Sequence, residues 1–191
     1  ILLYTDGDGI VDGFAGSVTN AGKAEVTGLE IEAVAQFSDQ FSATVAVGLI
    51  NADYTEWLQA SIDPDTGEPI LIDISATREF QNTPDTTANL RLRYSTPAGP
   101  GDLAVIGSVA YRSASQQFEI PDPLVDQGSF SLLDLSLVWS SNNGRYEIGL
   151  HGRNLADEEY VAASYEFGAI NNSVIGFYGP PRTVTGTFAI N

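Results

Sequence analysis

Tyr146-Glu-Ile-Gly-Leu-His-Gly-Arg-Asn154 decides the fold, because Tyr146, Ile148 and Leu150 alternate with Glu147, Gly149, His151 and Arg153. A period of two belongs to a strand with one apolar and one polar face, not to a helix. Past the acidic run Asn154-Leu-Ala-Asp-Glu-Glu-Tyr160 and a Gly/Asn-rich loop, the chain resumes at Pro180-Pro181-Arg182. There Val184, Gly186, Phe188 and Ile190 alternate with Thr183, Thr185, Thr187 and Ala189. Working back toward the N-terminus, the alternation recurs five more times. Val26 to Phe37 sets Leu29, Ile31, Ala33, Ala35 and Phe37 against Glu30, Glu32 and Gln36. Phe41 to Leu49 follows after a tight turn, then Ala88 to Tyr94 with Arg91 and Arg93 opposed to Leu90 and Leu92. Leu103 to Tyr111 and Leu133 to Trp139, the latter against Asp134 and Ser136, complete a set of seven strands.

The connections between these strands alternate long and short. Turns near 38, 97 and 141 are short, whereas those at 55–83, 113–128 and 155–180 are long, the first of these holding an Asp63-Pro-Asp-Thr-Gly67 turn signal and the apolar run Ile70-Leu-Ile-Asp-Ile74. Phe37 and Phe41 flank the first short turn, Tyr94 precedes the second, and Trp139 and Tyr146 flank the third, all with the parity of the apolar face. Alternating loop lengths and an aromatic belt at one set of turns are what an antiparallel transmembrane β-barrel predicts. A soluble β-sandwich also alternates, but it supplies a reason for neither regularity.

Composition is compatible with that expectation. No apolar run approaches the roughly 18 residues of a spanning helix, while a spanning strand needs only about 9 to 11 residues with alternate positions apolar. A mean hydropathy of -0.01 therefore does not oppose a membrane protein. With no Cys and no Met, disulfides, thiolate metal sites and Cys nucleophiles are excluded. A net charge of -17 and a pI near 4.1 argue against nucleic acid as a partner and against simple attraction to an anionic bilayer.

Gly152-Arg-Asn-Leu-Ala-Asp-Glu-Glu-Tyr160, followed by Tyr178-Gly-Pro-Pro-Arg-Thr183 and a terminal strand, resembles the C-terminal end of TonB-dependent outer-membrane receptors. There, Asn-Leu-x-Asp-x-x-Tyr ends one strand and Gly-x-Pro-Arg opens the last, matched here by Asn154, Leu155, Asp157 and Tyr160 and by Gly179, Pro181 and Arg182. Asn20 to Glu32, Asn82 to Leu90 and Ser131 to Leu135 resemble the same family, so the likeness covers nearly all of 1–191. It implies an all-β fold in which about seven strands form part of a barrel of ~22 strands around a plugged lumen. It also implies a chain lacking the plug domain and the TonB-binding segment, which belong upstream. Ile1 to Tyr4 then reads as the tail of an earlier strand, and a terminal aromatic is expected just after Asn191.

Function follows from the resemblance rather than from residue chemistry. It implies a transporter in the bacterial outer membrane, not an enzyme, importing a large scarce nutrient. A ferric siderophore is the foremost cargo, with cobalamin, haem and oligosaccharides open. Its partners would be the N-terminal remainder of the receptor, with plug and remaining strands, the TonB complex and outer-membrane lipid. The alternative from another class is a secreted, soluble β-rich binding or adhesion module.

Candidate residues sort by position. Tyr54, Trp57, Tyr160, Tyr165 and Tyr178 fall in outer loops, where cargo is gripped. Glu30, Glu32, Arg91, Arg93, Arg112, Asp134, His151 and Arg153 share the polar parity. Arg at mid-bilayer facing lipid would cost about 2 to 4 kcal/mol, so these residues point into the lumen, either along the cargo path or in salt bridges to the plug. His151 is the only histidine, and no nucleophile motif accompanies it. Asn171-Asn-Ser173 fits a glycosylation sequon, a match of little weight in a bacterial envelope.

No cofactor is expected, with calcium the one open case. Asp6, Asp8 and Asp12 place carboxylates as calcium loops do, but Ile10 takes the third alternate position and no bidentate Glu follows. A solvated acidic loop accounts better for the run. Adding calcium to the intact receptor is accordingly expected to leave its melting temperature unchanged, and an upward shift would establish the site.

Overall fold

A computed structural model of the chain describes residues 2–3, 13–14, 22–167 and 173–191. Asp6, Asp8 and Asp12, the calcium candidates, lie outside these, as do the two asparagines of the sequon. All seven expected strands are present: β1 (Lys23–Gln36), β2 (Phe41–Glu56), β3 (Thr86–Pro97), β4 (Gly101–Arg112), β5 (Phe130–Ser141), β6 (Tyr146–Arg153) and β7 (Thr183–Ile190). They form one antiparallel meander in which each strand pairs with its sequence neighbour. No α-helix occurs among the described residues, and no helix is long and apolar enough to cross a membrane.

Register sorts the side chains. Ile31 faces Val47, Val45 faces Leu90, Leu90 faces Val109, Val105 faces Leu137, Leu137 faces Leu150 and Ile148 faces Phe188. Directly opposed residues share a face, so the apolar sets of seven strands merge into one surface. Nothing covers it: Leu133 and Leu135 are 42% and 41% exposed, Ile148 52% and Phe188 64%. Val125, in a loop, is the one buried apolar residue among those described. A sandwich would have buried this face against a second sheet.

The other face carries the charge, where Arg91 opposes Thr44 and Ser108, Asp134 opposes Ser108, and His151 opposes Ser136 and Thr185. Two concavities that each cross four or more strands open on this polar side. One is lined by Glu30, Glu32, Asn89, Arg112 and Phe130, and the other by Arg93, Asp102, Ser140 and Glu147. The polar face is thus the inside of the curve. The sheet does not close, and β1 and β7 are its edges.

At the short-turn rim the expected aromatic belt is present. Phe37 and Phe41 stack at 5.4 Å, Tyr94 sits opposite Phe41, and Tyr146 stacks with Phe188 at 6.5 Å. Trp139 Nε1 donates to the Ala98 carbonyl at 2.9 Å, tying its polar edge to a turn.

The structure departs from the sequence expectation above the apolar band. The alternation in β2 stops at Leu49, yet pairing with β1 continues to Glu56. Beyond Leu29 and Leu49 the outward positions become Thr27, Asn51, Glu25 and Asp53, so the ladder rises out of the apolar zone with polar side chains on its outer face. Leu2–Leu3, in the stretch read as a strand tail, also pairs with Gly13–Phe14, where the Asp- and Gly-rich sequence reads as loop.

With the apolar face set in a bilayer as part of a complete barrel, Leu135→Arg is expected to lower unfolding free energy by about 2 to 4 kcal/mol. Ser108→Arg, on the polar face, should change it by about 0.5 kcal/mol or less. Denaturant titration in lipid vesicles measures both, and equal costs would contradict the assignment of faces.

Candidate functional site

All three long connections, 57–85, 113–129 and 154–182, leave the same rim, because short turns join the strands at the other. Each folds further than its composition suggests. Leu58–Ile62 pairs with Pro69–Asp73 around the Asp63–Gly67 turn, and Val161–Glu166 pairs with Val174–Tyr178. The loops also join one another. Glu79 N–H donates to the Glu119 carbonyl at 2.9 Å, Asn82 N–H donates to the Gln116 carbonyl at 2.8 Å, and Gln127 Oε1 accepts from Val161 N–H. The best-buried polar side chains, Ser115, Gln117 and Asn154, lie in this layer rather than in the wall.

The candidate aromatics fall into three groups. Tyr54, on the inner face of the β2 extension, stacks on Phe80 at 4.3 Å and meets Trp57 edge-on at 4.8 Å. The Arg78 guanidinium lies over Trp57, 5.6 Å from the ring centre. Tyr165 and Tyr178 are 60% and 70% exposed on the 161–178 hairpin, Tyr165 packing edge-on against Phe177. Tyr160 is occupied differently: its ring stacks on Phe130 at 4.6 Å and lies so close to Gly179 that a Cβ there would collide with it. Phe80, Arg78 and Phe130 were not legible as partners, since they sit in or beside loops without a side-chain period. The carboxylates of the first hairpin hold its ends. Asp73 Oδ1 accepts from the N–H groups of Trp57 and Ser75, each at 3.0 Å, and these bonds keep its pKa below the usual carboxylate value. Asp63 is lowered in the same way by the Asp65 N–H.

Asn154 and Arg182 explain why the two C-terminal motifs occur as a pair. Asn154, at φ 49°, is 5% exposed. Its Nδ2 donates to the carbonyls of Glu158 (2.9 Å) and Pro180 (3.1 Å), and its Oδ1 accepts from Glu158 N–H (2.9 Å). Its own N–H donates to Asp134 Oδ1 at 2.9 Å, and Leu155 N–H donates to the Leu133 carbonyl. Asp157 takes Arg182 twice, its Oδ1 from the backbone N–H at 2.9 Å and its Oδ2 from Nη2 at 3.2 Å. Gly179 N–H donates to the Tyr160 carbonyl at 2.8 Å, and Pro181 lies beside Glu158 and Glu159 in a small surface concavity. The motif residues therefore clamp the end of β6 to the start of β7.

On the polar face His151 bridges strands, with Nδ1 3.0 Å from Ser136 Oγ and Nε2 3.2 Å from Thr187 Oγ1. That geometry holds the ring against the wall across β5, β6 and β7, and places a hydroxyl where a triad would need a carboxylate. Arg112 Nη2 donates to the Asn82 carbonyl at 2.9 Å, joining wall to loop, while its buried Nε has no partner. Glu30, Glu32, Arg91, Arg93 and Arg153 share this face; the two ion pairs among the described residues, Lys23–Glu56 and Arg182–Asp157, include none of them. The described residues hold no cluster of His, Cys, Asp and Glu fit for a metal ion.

Comparison with known proteins agrees with this architecture. Residues 1–155 match the family described as TonB dependent receptor-like, beta-barrel. Among solved structures the chain is similar to the ferric yersiniabactin uptake receptor FyuA from Yersinia pestis, with a TM-score of 0.69 and 23% identity over 91% of this chain and 24% of that one. It is also similar to the siderophore receptor PiuA from Acinetobacter baumannii, with a TM-score of 0.65 and 18% identity over 87% of this chain and 22% of that one. The chain thus spans about a quarter of the length of these receptors. Among curated proteins no sequence match is found.

Replacing Asn154 tests the clamp. Asn154→Gly tolerates the backbone angle but removes three hydrogen bonds, and should cost about 1 to 3 kcal/mol. Amide hydrogen exchange should speed up at Glu158 and Gly179 while β4 stays protected. Unchanged protection at Gly179 would show that the motifs do not depend on each other.

Proposed function

Because the chain belongs to the TonB-dependent receptor-like β-barrel family, we propose that residues 1–191 are the C-terminal sector of a transporter in the outer membrane of a Gram-negative bacterium. Its cargo is a ferric siderophore, captured at the outer loops and admitted through a plugged lumen with energy delivered by the TonB complex. The observation that carries this reading is the uncovered apolar face with a charged, concave inner face behind it. Such a wall suits lipid outside and a polar path inside. It also disfavours a secreted soluble module, which would leave Leu133, Leu135, Ile148 and Phe188 in water.

Within this reading Tyr54 and Trp57 form one contact surface for cargo, and Tyr165 and Tyr178 another. Tyr160 positions the loop that carries the second pair. Glu30, Glu32, Arg91, Arg93, Arg112, Asp134, His151 and Arg153 line the lumen against the plug or the passing cargo. The chain moves its ligand without making or breaking covalent bonds, and needs no cofactor for that work.

Cells carrying the full-length receptor as their sole route should accumulate iron from a ferric siderophore only when TonB is intact. Trp57→Ala should weaken cargo binding about tenfold, equivalent to roughly 1.4 kcal/mol, without lowering the amount of receptor in the membrane. Uptake that persists without TonB would overturn the transport assignment.

A further inference from the structure

Charge is distributed unevenly along this chain. The connection at 57–85 holds six carboxylates and one cation, Arg78; that at 113–129 holds three and no cation; that at 154–182 holds four and one cation, Arg182. Both cations are engaged, Arg182 with Asp157 at 3.2 Å and Arg78 over Trp57. At the opposite rim the short turns carry one charge of each sign, Asp39 and Arg145. Just inside the mouth, Glu30 and Glu32 line a concavity of about 580 Å³ together with one cation, Arg112, which is turned to the Asn82 carbonyl, and neither carboxylate takes part in an ion pair. Carboxylates above a low-dielectric wall focus their field into the opening they surround.

Acidity alone names no ligand, but the aromatic group shows which charge its rings accept. The Trp57 face already holds a guanidinium, supplied by Arg78. The ring quadrupole and the Asp73 carboxylate, which accepts from the Trp57 backbone N–H, both favour a cation there and both oppose an anion.

We propose that this sector of the mouth selects by charge: the cargo is neutral or carries net positive charge, and ferric chelates of net negative charge are turned away. The inference rests on the reading of the chain as a receptor that captures cargo at its loops, and it adds the cargo's charge class. Selection acts first on encounter. A cationic complex is drawn in at a rate that falls with ionic strength, and an anionic one is repelled, so that its rate of entry rises as salt screens the repulsion.

Two measurements on the full-length receptor test this. The first reads the field without any cargo. A fluorophore on Leu124→Cys, a position 83% exposed, in a background with no other cysteine, is quenched by thallium or by iodide. Thallium should quench several-fold more efficiently at low salt, with the ratio falling toward one at high salt. Equal efficiencies, or an advantage for iodide, would overturn the proposal. The second is uptake of a panel: neutral and cationic ferric trihydroxamates, an anionic ferric tricatecholate, cobalamin and a neutral oligosaccharide. Import of the tricatecholate overturns the charge inference and leaves the iron reading standing. Import of a neutral nutrient without iron does the reverse. A receptor that imports none of them is still judged by the quenching ratio.

Discussion

A sheet with an apolar medium against one face must satisfy every backbone N–H and C=O within its own ladder, because that medium offers no substitute partner. The rest of this structure depends on that constraint. Seven strands that pair in sequence order meet it for all but the two edges. Once the ladder is continuous, the period of two leaves no freedom about side chains: a slip of one residue in any strand would turn its leucines inward and its arginines out. The unbroken apolar surface from Ile31 to Phe188 and the charged surface behind it are therefore two results of the same hydrogen-bonding requirement.

Burial has an unusual location as a consequence. The wall contributes no buried apolar side chain among the described residues, whereas Val125, Ser115, Gln117 and Asn154 are all buried in the loop layer at one rim. The loops can become ordered because they share hydrogen bonds with one another and with the strand ends that carry them. Arg112 reaches Asn82 from β4, and Phe130 at the start of β5 stacks on Tyr160. Asn154 works at the same boundary. Its carboxamide uses both donors and its acceptor oxygen to fold the chain back toward Pro180, which delivers Arg182 to Asp157 and starts β7 in register with β6.

The same partition governs charge. Side chains on the outer face of the wall are constrained to be apolar, so charge collects inside the curve and in the loops beyond the apolar band. Above Leu49 the outward positions of β2 turn to Asn51 and Asp53 as soon as that constraint lapses. The acidity of the chain thus concentrates at one end of the molecule, the rim that carries the long connections.

What could be read from residues alone was whatever obeys a period. Alternation located all seven wall strands and their faces, and turn lengths with flanking aromatics located the belt, because both record a local rule that each strand must obey by itself. The closing motifs were readable as an ordered pair. That Asn154 grips Pro180 across 26 positions, or that Asp157 holds Arg182, depends on chain return and has no local signature. The hairpins at 58–73 and 161–178, the reach of β2 to Glu56, and the meeting of Tyr54 with Phe80 were likewise decided only by tertiary structure. In these segments both faces are mixed and no apolar medium imposes a side-chain order, so contacts between distant residues, rather than a repeating pattern, select the conformation.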